Sequence, residues 1–222
     1  HAVEFFWERA KSDGWYLQGS YTFAKSIGNV EGYVNSTLEQ DDAGATQDFD
    51  FSAFEDGSYG YLPNDRRHTL KLFGAYDIND EWSVSGNALI QSGRPVNCNG
   101  FIPVGDPSIP GDGLGIGEPD NGSIGNYSGS SFYCIDPNGP ISVAITDQDG
   151  NIIGHTNYAL TNRGELGRTP WTKTFDVGVS YTPNWLKGLT LQMKVFNVLN
   201  AGSVIEYNES SQVNAGAQVR DP

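Results

Sequence analysis

The sequence predicts an all-β chain: an antiparallel segment of a transmembrane β-barrel with long extracellular loops. Three observations carry that prediction. Six segments alternate apolar and polar residues with period two. Most are ten residues or longer, roughly twice an ordinary strand. The connections between them are alternately short and very long, the pattern of a barrel with short periplasmic turns and long outer loops.

Residues 3–9 (VEFFWER) open the series, with Val3, Phe5 and Trp7 on one face and Glu4, Phe6 and Glu8 on the other. In residues 14–24, Trp15, Leu17, Gly19, Tyr21 and Phe23 oppose Tyr16, Gln18, Ser20, Thr22 and Ala24. In residues 68–78, Leu70, Leu72, Gly74, Tyr76 and Ile78 oppose Thr69, Lys71, Phe73, Ala75 and Asp77. In residues 81–91, Trp82, Val84, Gly86, Ala88 and Ile90 oppose Ser83, Ser85, Asn87, Leu89 and Gln91. In TFDVGVSYTP, 174–183, the apolar face is Phe175, Val177, Val179 and Tyr181. In the sixth, 188–200, Leu189, Leu191, Met193 and Val195 oppose Thr190, Gln192, Lys194 and Phe196.

KSDG, NDE and PNWLK make the short connections, and the long ones run over about 25–67, 92–167 and 201–222. Trp7, Trp15, Tyr21, Tyr76, Trp82, Tyr181 and Trp185 are placed near strand ends, where the aromatic girdles of a membrane barrel belong. Small polar residues on the second face would need partners in a dry core but are easily hydrated in a lumen. A hairpin is predicted inside the second long loop, ISVAITDQDGNIIGHTNY, turning at Asp149-Gly150.

The formal charge of −14 works against nucleic acid and anionic headgroups; it suits cationic or metal-bearing solutes, or simply keeps the surface soluble. No run of 18 apolar residues marks a membrane helix, which leaves a barrel untouched. Cys98 and Cys134, with no histidine between them, lack a zinc spacing. A loop-closing disulfide in an oxidising compartment is favoured over two buried thiols.

No catalytic set is evident, so a non-enzyme is expected. His1, His68 and His155 are separated in the sequence, and Asp65, Arg66 and Arg67 beside His68 read as local pairs at a strand entrance. DQDGN, 147–151, lacks the spacing and closing Glu of a calcium loop. The acidic stretch 39–56 is the better place for calcium, and no other cofactor is expected.

GWYLQGSYTFAKSIGNVEG (14–32), NDRRHTLKLFGAYDI (64–78), IQSGRPVN (90–97), GRTPWTKTFDVGVSYTP (167–183) and LTLQMKVFNVLN (189–200) together resemble the C-terminal barrel portion of a TonB-dependent outer-membrane receptor, closest in character to the Oar-like branch. The resemblance implies a 22-stranded barrel in the outer membrane of a Gram-negative bacterium. It also implies an N-terminal plug and a TonB box, with import of a scarce nutrient (peptide or protein, carbohydrate or metal chelate) driven through TonB. The implied partners are the remaining strands and plug, TonB, lipid, the nutrient and a surface lipoprotein, with no nucleic acid. Departures from the family are the missing plug and TonB box, a six-strand count below the eight of the smallest familiar barrels, and the ending GAQVRDP. Further strands from elsewhere are therefore expected. The rival readings are a secreted β-sandwich adhesin or carbohydrate-binding module, dispersed without detergent, and a passive porin.

Overall fold

A computed structural model describes residues 1–33, 52–100, 102–103, 131–146, 149–214 and 217–218. The chain divides into two compact units: a sheet unit of His1–Ser26, Asp65–Arg94 and Thr169–Glu206, and a loop unit of Ile27–Asn64, Pro95–Arg168 and Tyr207–Pro222.

The sheet unit is built from β1 (Ala2–Ser12), β2 (Trp15–Ala24), β5 (His68–Asp77), β6 (Trp82–Gln91), β10 (Thr172–Tyr181) and β11 (Leu191–Val195). They form one antiparallel sheet in the order β1-β2-β5-β6-β10-β11, each strand beside the next of the set. Among the described residues the sheet does not close, and β1 and β11 are its two edges. All six alternating segments are thus strands, and their chain order is their spatial order.

The short turns have local causes. Asp13 and Gly14 both take positive φ, 52° and 81°, the two-residue hairpin whose twist matches its strands. At the next turn the Asn79 side-chain carbonyl accepts from the backbone N–H groups of Glu81 and Trp82, both at 2.9 Å. The third turn is anchored where the Thr182 N–H donates to the Glu81 carbonyl and the Asn184 N–H to the Glu81 carboxylate.

Two expectations need correction. The sixth segment is a strand only over Leu191–Val195, not to 200. Asn197 and Asn200 both take φ 48°. The Asn197 N–H donates to Asp176 Oδ1 at 2.7 Å, and the Asn197 side chain closes both its polar ends on Ala201. FNVLN is therefore a side-chain-stapled turn, and asparagine is the residue that tolerates it. Trp7 is not near a strand end: β1 extends on both sides of it, and its indole lies over Gly19 on β2, where any Cβ would collide with the ring.

The loop unit holds β3 (Ile27–Gly28) paired with β4 (Gly60–Tyr61), the one-turn helix α1 (Ser52–Glu55), and a three-stranded sheet of β7 (Tyr133–Ile135), β9 (Ile152–Leu160) and β8 (Ile141–Thr146) in the order β7-β9-β8. β12 (Gln212–Asn214) and β13 (Ala217–Gln218) form a small ribbon. The hairpin read from ISVAITDQDGNIIGHTNY is β8–β9, and Gly150 in its turn takes φ 81°.

The apolar side chains with the least exposure, Phe54, Ile102, Phe132, Tyr133 and Tyr158, all belong to the loop unit. The sheet unit contributes none of them. Burial of apolar surface, the usual driving force of folding, is therefore achieved in the loops and left undone on the sheet.

Within the loop unit, backbone approaches are close. A Cβ on Gly60 would collide with the Arg163 carbonyl, which accepts the N–H of Tyr61 at 3.2 Å. Gly60→Ala is expected to destabilise this unit by about 2–3 kcal/mol. Limited proteolysis in a urea series would check it, with the sheet unit's protection unchanged.

Candidate functional site: the two sheet faces and the loop unit

The register sorts every side chain of the sheet onto one of two faces. Reading across the middle, Trp7 lies opposite Gly19, Gly19 opposite Leu72, and Leu72 opposite Ala88. Ala88 lies opposite Phe175, and Val177, two residues on, opposite Val195. The apolar residues of all six segments therefore merge into one continuous surface. Many of them are exposed: Phe5 is 61% accessible, Tyr76 50%, Leu191 55% and Met193 64%.

No aspartate or glutamate of the paired strands falls on this surface. Glu4 lies opposite Thr22, Glu8 opposite Gln18, Asp77 opposite Ser83 and Asp176 opposite Asn87, all on the other face. Arg9 shares the apolar face, opposite Leu17, and lays its guanidinium 3.6 Å from the ring centre of Trp15 at the short-turn end.

Aromatic rings gather at both ends of the surface. At the short-turn end, Trp15 lies opposite Tyr76, and Trp82 stacks on Tyr181 with ring centres 4.5 Å apart. At the other end His68, flanked by Phe23, stacks on Trp171 at 5.7 Å and hydrogen-bonds Tyr21 Oη through Nδ1 at 2.8 Å. His68 was expected to stand alone; the signal that could have placed it was its alternation with Leu70 and Leu72, which puts it on the face of Tyr21 and Phe23. Ten residues at about 3.4 Å each, tilted by about 45°, cover about 24 Å. That matches the height of a barrel's lipid-facing band.

The opposite face is polar with aromatic interruptions. Tyr16 Oη donates to Gln18 Oε1 at 2.7 Å and packs against Phe73, while Lys11 pairs with Asp77. Ser83, Ser85, Asn87, Asp176, Lys194 and Gln192 continue the polar lining along β6, β10 and β11. A shallow dent lies among Phe73, Asn87, Asp176, Lys194 and Phe196. Such a face can hydrate or meet another polar surface.

Beyond the strand ends the sheet unit is tied by buried polar contacts. Asp65 is fully buried, accepts the Ser26 N–H at 2.7 Å and pairs with Arg67 at 3.7 Å, the local pairing expected there. Arg66 donates to the Ser92 carbonyl at 3.3 Å. Arg94, nearly buried, pairs with Glu206 at 3.2 Å.

The loop unit interlocks three separate connections. Cys98 and Cys134 form a disulfide, with Cα atoms 5.7 Å apart. Asn97 donates to the Glu209 carboxylate at 2.9 Å and accepts the Gly164 N–H at 2.6 Å. Arg163 donates to the carbonyls of Ser58 and Asn29, both at 2.6 Å, and lies over the ring of Phe132. Tyr133 Oη donates to Asp56 Oδ2 at 2.7 Å. Nothing in the sequence pairs Asn97 with Glu209, 112 residues away, so this interlocking was not legible there.

Burial raises the pKa of Tyr158 above its ordinary value of 10. A neutral phenol held in the fold favours the native state until the unfolded chain ionises. Loop-unit stability is therefore expected to hold up to pH 10 and to fall above it, and Tyr158→Phe should flatten that fall. Denaturant midpoints between pH 8 and 11 would show it.

Among the described residues no group of three or more His, Cys, Asp or Glu side chains could hold a metal. Glu39, Asp41, Asp42, Asp48 and Asp50 of the acidic stretch, and Asp147 and Gln148 of DQDGN, lie outside the described residues.

Comparison with known proteins gives one informative match. The chain is 28% identical over 204 residues to the TonB-dependent transporter Oar of Myxococcus xanthus, a match covering 89% of this chain and 15% of that protein. The chain thus spans a small part of its relative's length and is related in sequence to a TonB-dependent transporter. No family model matches it, and no solved structure does.

Proposed function

We propose that this chain forms barrel wall and outer loops of a TonB-dependent receptor in the outer membrane of a Gram-negative bacterium, within the C-terminal part of a 22-stranded barrel. The observation that carries the reading is the exposed, carboxylate-free apolar face bounded by aromatic rings, with a polar face behind it. In water that face is a large unburied apolar patch. In lipid it is the ordinary exterior of a barrel. The two open sheet edges need further strands in a membrane, because unpaired backbone groups there cost several kcal/mol each.

The sequence match to a transporter supports the energised mechanism. The loop unit captures the nutrient, and the polar sheet face meets a plug that other parts of the protein provide. Work passed through TonB shifts that plug and opens the path. The chain's own part is physical, as wall, gate and binding surface, with no covalent chemistry. Calcium in the acidic stretch 39–56 and a surface lipoprotein over the loops are compatible additions.

Uptake of a radiolabelled peptide, a maltodextrin and a ferric chelate tests the reading, in cells with and without the protein and with and without an uncoupler. Protein-dependent uptake of one of them, abolished by the uncoupler, is the expected result. Uptake indifferent to the uncoupler would mean a passive porin. A protein that leaves the cell and stays dispersed without detergent would mean a secreted sandwich.

A further inference from the structure

The net charge is not shared between the units. The loop unit holds 18 of the 27 acidic residues and three of the 13 basic ones, leaving the sheet unit nearly neutral with nine acidic and ten basic. Among the described residues the loop unit carries seven acidic side chains against two basic ones, a negative excess that draws in cationic solutes and works against a second copy.

That unit also presents an unprotected strand edge. Among the described residues β8 is the outer strand of its sheet and pairs only with β9. The Asn157 carbonyl accepts the Asp136 N–H at 3.0 Å, so the backbone polar groups of Asn157 turn toward β7. Asn157 is the register partner of Ser142, and His155, of the same parity, is the partner of Ala144. In an antiparallel ladder the N–H and C=O of Ser142 and Ala144 therefore point outward from the edge.

Edges are normally blunted by lysine, proline, inward charge or a covering segment. Ile141–Thr146, ISVAIT, has neither charge nor proline, and its side chains at Ser142, Ala144 and Ile145 are exposed. Uncharged β-branched residues beside outward backbone groups are the features by which an extended peptide adds to a sheet.

We propose that the β8 edge binds an extended, basic peptide by strand addition. The peptide's backbone pairs with Ser142 and Ala144. Its alternate side chains lie along Val143 and Ile145, and lysine or arginine flanking the paired segment answers the acidity of the loop unit, with Asp136 and Asp149 flanking β8 in sequence. The field of the unit tells against the other simple occupant, the same edge of a second copy. The inference rests on the transport reading in that it names the cargo class captured by the outer loops.

The test uses the protein in detergent micelles and a fluorescein-labelled, lysine-flanked peptide of alternating valine and threonine, followed by anisotropy. Saturable binding is expected, weakened at least tenfold by glutamate flanks and likewise by 0.5 M salt. N-methylation of the peptide residues facing Ser142 and Ala144 should abolish it. Methylation of the alternate residues, whose N–H groups point away, should leave it within about threefold. Ala144→Pro, which removes an outward N–H, should abolish binding in protein that keeps the protease resistance of the loop unit. The methylated peptides decide the matter even if that variant misfolds.

Equal loss from both methylation sets, equal binding of the glutamate-flanked peptide, or no binding would overturn the proposal. So would a protein dimer that Ala144→Pro dissolves. Binding without energised uptake would sink the transport reading and leave the edge site standing. Energised uptake of another cargo with no peptide binding would sink the edge site alone.

Discussion

Leu72→Arg is expected to lower the stability of the protein in a bilayer by about 2–4 kcal/mol, the cost of a cation at mid-depth on a barrel's lipid face. Leu72 sits midway along β5, opposite Gly19 on one side and Ala88 on the other. Those small neighbours give an arginine no carboxylate to pair with. The matched control is Asn87→Arg, on β6 and on the opposite face, opposite Asp176. There a guanidinium meets a carboxylate and water, so the change should stay within about 0.5 kcal/mol. Urea titration of protein refolded into liposomes, read by heat-modifiable gel migration, measures both. Equal penalties at the two sites would remove the distinction between the faces.

The second large effect concerns the loop unit. Replacing Cys98 and Cys134 together by serine should destabilise it by about 4 kcal/mol, from the chain entropy of a 36-residue closed loop. The polar ties at Asn97, Arg163 and Tyr133 act only in the folded state and do not constrain the unfolded chain, so they leave that entropy loss uncompensated. A thiol reductant on the parent protein should reproduce the loss. Protease cutting within 95–168 at lower urea, with the sheet unit's pattern unchanged, is the expected signature; unchanged cutting would mean that the disulfide contributes little.

The sheet was legible because its information is local. Period-two alternation declares a strand and also its two faces, and Asp13-Gly14 declares its own turn. Short turns force β1–β2, β5–β6 and β10–β11 into antiparallel pairs, while the pairings β2–β5 and β6–β10, made across the long connections, come from the structure. The end of the sixth strand was missed because Asn197 terminates it, its backbone N–H donating to the Asp176 carboxylate and its side chain bonding Ala201, while Phe196, Val198 and Leu199 keep an apolar texture that reads as strand. The loop unit was largely illegible. Only its hairpin and its disulfide had sequence signals. The contacts that close it, Asn97 with Glu209 and Arg163 with Asn29 and Ser58, join residues with no periodicity or motif between them.

The charge division was within reach of the sequence but needed unit boundaries that only contacts supply. Once the long connections are seen to fold together, the negative charge has an address, and the neutral sheet follows.

The most direct test of the lipid-facing assignment is spin labelling along β5. Single cysteines at Leu70, Lys71, Leu72 and Phe73, in protein retaining the Cys98–Cys134 disulfide and reconstituted in liposomes, would be read by accessibility to oxygen and to a water-soluble nickel chelate. Labels at 70 and 72 should be relaxed by oxygen and shielded from the chelate, and labels at 71 and 73 should show the reverse. Chelate access at 70 and 72 equal to that at 71 and 73 would contradict a lipid-facing sheet and return the chain to a water-soluble fold.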